Sequence, residues 1–169
     1  LGFEFLDGEG IPVHNLPTEF ERVKSIHPAP PFPCEVLVAC DVKNPLLGER
    51  GATRVYGPQK GVRDLDFFEA RLKALADLVK RDLGVDARDE PGAGAAGGLG
   101  FGLMSFAGAR LVPGFEWIAD LIGLRRRIAE ADFVITGEGR LDGQSLEGKG
   151  PVGVAQWAPI LGAGTYTVT

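Results

Sequence analysis

The chain has 169 residues and a formal net charge of −5, with 44% hydrophobic and 24% charged residues. This balance describes one domain with a sizeable core, or one domain plus part of another, and excludes an extended disordered chain. The negative charge, with Arg125–Arg127 as the one basic cluster, argues against a nucleic-acid-binding face. No apolar run reaches the roughly 18 residues of a membrane span.

Glycine occurs 25 times and proline 12 times, interleaved with apolar runs, so many tight turns and close backbone approaches are expected. The N-terminal "LGFEFLDGEG" has neither an initiator Met nor a signal-peptide pattern, and reads as the middle of a longer chain. "FEFLDGEGIPV" alternates apolar and polar residues about a glycine turn and predicts a short hairpin. "HNLPTEFERVKSIHPAPPFP" is punctuated by proline and predicts loop; it holds His14 and His27, to which no role is given.

"CEVLVACDV" predicts a strand buried on both faces and ending at Asp41. Its flanking Cys34 and Cys40 would lie roughly 20 Å apart along a strand, too far to bridge. They are expected as buried thiols in a reducing, cytoplasmic compartment. "KNPLLGERGATRVYGPQKG" shows no helical period and predicts a long loop, a length that usually signals function. "DLDFFEARLKALADLVKRDLG" predicts a helix. Asp64 or Asp66 can cap it, Phe68, Leu72, Leu75 and Leu78–Val79 form its apolar stripe, and Gly84 ends it.

"EPGAGAAGGLGFG" contains G-x-G-x-x-G at Gly92, Gly94 and Gly97. A dinucleotide fold needs a buried strand before that motif and an acidic strand end about 20 residues after it. Polar "RDLGVDARDE" precedes it, and Glu116 and Asp120 follow in a helical pattern, so the dehydrogenase reading fails. Two readings stay open: backbone N–H groups offered to an anion, or glycines that make room for close packing.

Beyond it, "LGFGLMSFAGARLV" predicts a helix with small residues on one side and then a short strand. "GFEWIADLIGLRRRIAEA" predicts helix, break near Gly123, helix. "DFVITGEGRLDG" predicts a strand over Phe133–Thr136 running into a glycine-rich loop. A helix with Pro151 in its first turn and a C-terminal strand in "TYTVT" complete the pattern. The alternation predicts an α/β or mixed α+β class.

Polar residues and glycines recur together after both strong strands. Asp41 and Asn44 follow the first; Glu138, Arg140, Asp142, Gln144 and Lys149 follow the second; Gln59 and Lys60 form a third cluster in "YGPQKG". Strand carboxyl ends collect ligands in open α/β sheets. Carboxylates there can hold Mg²⁺ or take a hydroxyl proton, and Arg or Lys can bind phosphate or carboxylate oxygens. The pattern suggests a small, oxygen-rich anionic substrate and a polyphosphate.

Four stretches, "ACDVKNPLLGERGATRVYGPQKG", "PGAGAAGGLGFGL", "LVPGFEWIADLIGL" and "DFVITGEGRLDGQSLEGKGPVGVA", resemble the bacterial glycerate kinases in content, order and spacing from Leu1 to about Ala155. The resemblance implies transfer of the γ-phosphoryl of ATP, with Mg²⁺, to a hydroxyl of glycerate, giving 2- or 3-phosphoglycerate. It implies a two-domain α/β fold, one domain Rossmann-like and the other a mixed α/β domain inserted into it, with the active site in the cleft between them. The family's "DSFKGS" and "ADGGEGT" segments have no counterpart, and "QWAPILGAGTYTVT" departs from its pattern. The expectation is therefore an internal piece, inactive alone, with the inserted domain over 1–136 and the start of a return to the Rossmann-like domain over 137–169. Homo-oligomerisation stays open.

Carried over by position, the resemblance implies Asp41 or Asp142 as the base on the hydroxyl, and Glu138 or Asp142 as the Mg²⁺ contact. It implies Arg140 and Lys149 on the glycerate carboxylate or transferring phosphoryl group. Asn44, Gln59, Lys60 and Gln144 would bind substrate, with backbone N–H groups of Gly94, Gly97 and Gly98 approaching it. The alternative is a small-anion-binding module that has lost its ATP-binding half.

Overall fold

The computed structural model describes residues 1–139 and 150–168. Its elements are β1 (Glu4–Leu6), α1 (Leu16–Glu19), β2 (Ser25–His27), β3 (Leu37–Ala39), α2 (Ala52–Tyr56), α3 (Leu65–Leu83), α4 (Leu99–Ala107), β4 (Arg110–Val112), α5 (Gly114–Leu121), α6 (Leu124–Ala129), β5 (Phe133–Gly137), α7 (Gly150–Ile160) and β6 (Gly164–Val168). The class is mixed α/β, as the alternation predicts. Two compact units result, Leu1–Val38 with Val42–Leu111, and Ala39–Asp41 with Val112–Thr169.

In the first unit, α3 supplies the main apolar face. Asp64 caps it by accepting the Phe67 N–H at 2.9 Å, and Gly84 closes it in the left-handed region at φ 70°. Ala76 and Val79 of α3 are buried in one cluster with Ile26, Leu46, Ala93 and Phe101; Leu72, Leu75 and Leu78 pack around it. Phe68, the first residue of the predicted stripe, is exposed instead.

The predicted hairpin forms a turn, with Asp7 Oδ1 accepting the N–H groups of Glu9 and Ile11 and a bridge between Leu6 and Pro12. The longer pairing of β1, however, is with β2, antiparallel, in the register Phe5↔Ile26. β2 falls in the stretch predicted as loop. Its single core residue, Ile26, is held from the side: Asp82 of α3 accepts the Ile26 N–H at 2.7 Å. A three-residue strand defined by tertiary contacts leaves no periodicity to read.

Two more expectations change. The "VLVAC" run yields the three-residue β3, paired with β4, with Leu37 and Val38 half-buried and Ala39 exposed. Of the cysteines expected inside, Cys34 is exposed and Cys40 half-buried, both unbridged.

The second unit is built on β5–α7–β6, with β5 and β6 parallel in register Phe133↔Gly164 through Gly137↔Val168. α7 packs on both strands, burying Ala158 with Ile128 and Ala163. The opposite strand face turns Phe133, Ile135, Tyr166 and Val168 outward. α5 and α6 break at Gly123, as predicted, because Gly123 adopts φ 64°. Arg125, the first residue of the basic cluster, lies over an aromatic ring: its guanidinium is 3.6 Å from the Trp157 ring centroid.

Candidate functional site

Asp41 follows β3 and belongs to the second unit. Its Oδ1 accepts the Phe115 N–H at 2.9 Å, so the carboxylate sits on the first turn of α5. A side chain at Gly114 would place its Cβ 3.0 Å from Asp41 Oδ2, so glycine there lets the carboxylate approach the helix end. That end carries unsatisfied N–H groups and partial positive charge. Asp41 Oδ2 makes no hydrogen bond among the described residues. A cavity of about 380 Å³ opens beside it, walled mainly by Phe115, Ile118, Ile122 and Leu124.

Phe115 is itself wedged. Its ring stacks 4.7 Å from Trp157, and Gly153 of α7 lies against it so closely that a Cβ would enter the ring. Thus α5 and α7 are locked together under Asp41. Glu138 lies directly after β5 and is half-buried; its Oε1 is sealed from solvent and has no hydrogen-bond partner among the described residues. A lone buried carboxylate oxygen is costly unless something else satisfies it. Arg140, Asp142, Gln144 and Lys149 lie outside the described residues.

Asn44, Gln59, Lys60 and the glycine run all belong to the first unit. Asn44 is used on both ends of its side chain: Nδ2 donates to the Arg50 carbonyl at 2.8 Å and Oδ1 accepts the Tyr56 hydroxyl at 2.9 Å. This closes the 44–50 turn against α2, the helix that sequence reasoning missed because it is only five residues long. Gln59 is exposed on a 3₁₀ turn, Pro58–Lys60. Lys60 reaches the glycine run and donates to the Ala96 carbonyl at 3.3 Å.

The run itself is mostly packing. The Gly94 N–H donates to the Asn44 carbonyl at 2.9 Å, that of Gly97 to Gly94 at 3.1 Å, and that of Gly98 to Gly94 and Ala95. A Cβ on Gly94 would strike the Pro45 carbonyl, and one on Gly100 the Gly92 carbonyl. The amides of Gly94, Gly97 and Gly98 are therefore directed at other backbone.

Charge fixes the neighbouring segment. Arg88 bonds to Asp77 at 2.8 Å and Asp86 at 2.7 Å, and its carbonyl accepts the Leu46 N–H at 2.8 Å. Lys73, then Arg88, holds the Asp77 carboxyl below its usual range; Lys80, then Arg88, does the same for Asp86. Among the described residues no cluster of three or more His, Cys, Asp or Glu can hold a metal unaided. Nor is any helix among them long and apolar enough to cross a membrane.

The chain matches the glycerate kinase family over residues 1–168. It belongs to that family. The match takes in all but the last residue of the C-terminal "QWAPILGAGTYTVT", which corrects the expectation that the chain departs from the family pattern after Ala155. Among curated relatives, the chain is 47% identical over 142 residues to the glycerate 2-kinase of Escherichia coli (strain K12), covering 79% of this chain and 37% of that protein. It is 41% identical over 167 residues to the glycerate kinase of Haemophilus influenzae, covering 94% of this chain and 43% of that one. A crystal structure from Salmonella typhimurium LT2 that bears the name glycerate kinase 2 superposes with a TM-score of 0.78 at 40% identity, over 99% of this chain and 46% of its own. The chain thus spans under half the length of these relatives.

Proposed function

We propose that the protein phosphorylates a hydroxyl of glycerate from ATP. The observation that supports this most directly is Asp41, fixed through Oδ1 on α5 with Oδ2 unpaired among the described residues. Phosphoryl transfer asks a protein chiefly to position the acceptor and neutralise charge. In this reading the glycerate hydroxyl oxygen bonds to the γ-phosphorus, the bond from that phosphorus to the β–γ bridging oxygen breaks, and ADP leaves. The hydroxyl proton passes to Asp41 or Asp142. Arg140 and Lys149 bind the glycerate carboxylate or the phosphoryl oxygens, and Asn44, Gln59, Lys60 and Gln144 hold the substrate. The name of the E. coli relative favours the 2-hydroxyl as acceptor.

The residues present fit Mg²⁺ in its usual kinase role, with one or two protein carboxylates and the rest phosphate oxygens and water. The sealed Oε1 of Glu138, unpartnered among the described residues, is the kind of atom a cation satisfies, with Asp142 as second candidate. The ion would offset phosphate charge. Division at residue 136 into an inserted mixed α/β domain and a Rossmann-like remainder, and a cytoplasmic setting, belong to the same proposal. Phosphate-31 spectra of the product formed from glycerate and Mg-ATP by the intact protein test it; a 2-phosphate ester is expected, and absence of any phosphate ester overturns it.

A further inference from the structure

A groove of about 610 Å³ lies wholly within the first unit, between α3 and the Phe20–Lys24 segment that follows α1. Its floor is one face of α3. Phe67, Ala70, Ala74, Leu78 and Arg81 recur there at helical spacing over roughly 21 Å. Ala70 and Ala74 are exposed at the centre, and Phe67 and Arg81 are exposed at the two ends. The core takes the opposite side of the helix, that of Ala76 and Val79. An exposed apolar groove of this length marks a contact surface.

The groove is preformed. At one end Arg71 donates to the Leu16 and Pro17 carbonyls at 3.1 Å each, and its guanidinium stands over the Phe20 and Phe67 rings. Glu21 lies 3.4 Å from the same guanidinium. At the other end Arg81 donates to the Lys24 carbonyl at 2.6 Å. The Lys24 ammonium donates to the Glu21 carbonyl at 3.3 Å, and pairs with no carboxylate among the described residues. The wall thus sets Glu21 beside Arg71 and Lys24 beside Arg81.

This face is complementary to itself. A two-fold axis at Ala74, with two copies of α3 antiparallel, opposes residues that are equally far from Ala74 in sequence. Ala74 meets Ala74, so the two backbones can come close. Ala70 meets Leu78, small against large, and Phe67 meets Arg81, ring against guanidinium. Arg71 stands across from Asp77, and the walls bring Glu21 toward Lys24. Arg71 and Asp77 keep their partners within the chain and act across the axis through charge alone. Parallel copies would instead set Arg81 on Arg81 and Lys24 on Lys24.

From this geometry we propose that the α3 groove is an isologous interface whose occupant is α3 of a second copy of this chain. The proposal does not rest on the kinase reading.

Sedimentation of the intact protein and its Ala74→Glu variant tests it. Wild type is expected to form a dimer in a concentration-dependent way. Ala74→Glu sets two carboxylates against each other at the axis and is expected to weaken association at least about tenfold. Position 74 is exposed and glutamate is a good helix former, so its thermal melt is expected to match wild type. In a Cys34→Ser background, Ala74→Cys is expected to cross-link to its own copy on mild oxidation, well ahead of Glu130→Cys on the second unit. A wild type that stays monomeric up to about 100 μM overturns the interface and leaves the groove to a segment of different sequence. A dimer that folded Ala74→Glu leaves intact also overturns it. If Ala74→Glu does not fold, cross-linking of Ala74→Cys no faster than that of Glu130→Cys overturns it instead.

Discussion

Asp41 Oδ1 accepts the Phe115 N–H at 2.9 Å, which makes one residue both an acceptor for the first turn of α5 and a candidate catalytic base. The two roles separate by substitution. Asp41→Asn keeps an oxygen for the Phe115 N–H and loses the base; Asp41→Ala loses both. Loss of a cap costs about 1 kcal/mol, so Asp41→Ala is expected to lower the unfolding free energy by about that amount, with Asp41→Asn close to wild type. If Asp41 takes the hydroxyl proton, Asp41→Asn nevertheless loses at least about tenfold in turnover, ~1.4 kcal/mol of transition-state stabilisation. Chemical denaturation beside steady-state assays reads both effects.

The glycine run divides into positions that accept a methyl group and positions that do not. Gly102 lies on α4, and a Cβ added there would meet nothing within 4 Å. Gly102→Ala is expected to raise stability by up to about 1 kcal/mol, the helix-propensity difference. Gly94→Ala drives a Cβ into the Pro45 carbonyl and is expected to cost about 2 kcal/mol or more, since backbone must move. Thermal unfolding of the two variants side by side checks this; equal melting temperatures would contradict the packing assignment.

Asp82 supplies the pH dependence. Its hydrogen bond from Arg81, and then the Ile26 N–H, holds its carboxyl below the usual range. A depressed carboxyl adds stability that is present above the unfolded pKa of about 3.9 and is lost as pH falls through the folded value. Asp77 and Asp86 act in the same direction. Asp82→Asn is therefore expected to be less stable than wild type at neutral pH, with the difference narrowing below about pH 4. Urea melts from pH 7 to pH 3 measure it, and a difference that widens toward acid would contradict it.

What was legible in the sequence follows physical length scale. α3 announces itself because nineteen residues repeat the helical period and carry both caps. The α5–α6 break is readable from Gly123, and β5 from its apolar run into glycine. β2 and α2 were not legible: three and five residues are too few for a period, and each is held by a distant partner, Asp82 for Ile26 and Asn44 for Tyr56. Tyr56 was accordingly missed as the partner of Asn44; the spacing of twelve between them carries no local signal. Asp41 was found because it ends a strand, but its attachment to Phe115 joins residues 74 apart. The glycine run could be freed of its dinucleotide reading from context, whereas the Gly94 bond to Asn44 needed the fold.

The segment 140–149 is open to direct test. Asp142→Asn and Arg140→Ala are each expected to cut turnover at least about tenfold, with folding unchanged by circular dichroism. Wild-type rates in both would remove Arg140 and Asp142 from the catalytic reading.

The central claim is phosphoryl transfer to glycerate, and one measurement addresses it most directly: ADP released by the intact protein supplied with glycerate and Mg-ATP, followed in a coupled assay. ADP formation that requires glycerate and saturates with it is expected. A folded protein that binds glycerate yet releases no ADP above the glycerate-free rate would contradict it and leave a small-anion-binding module in its place.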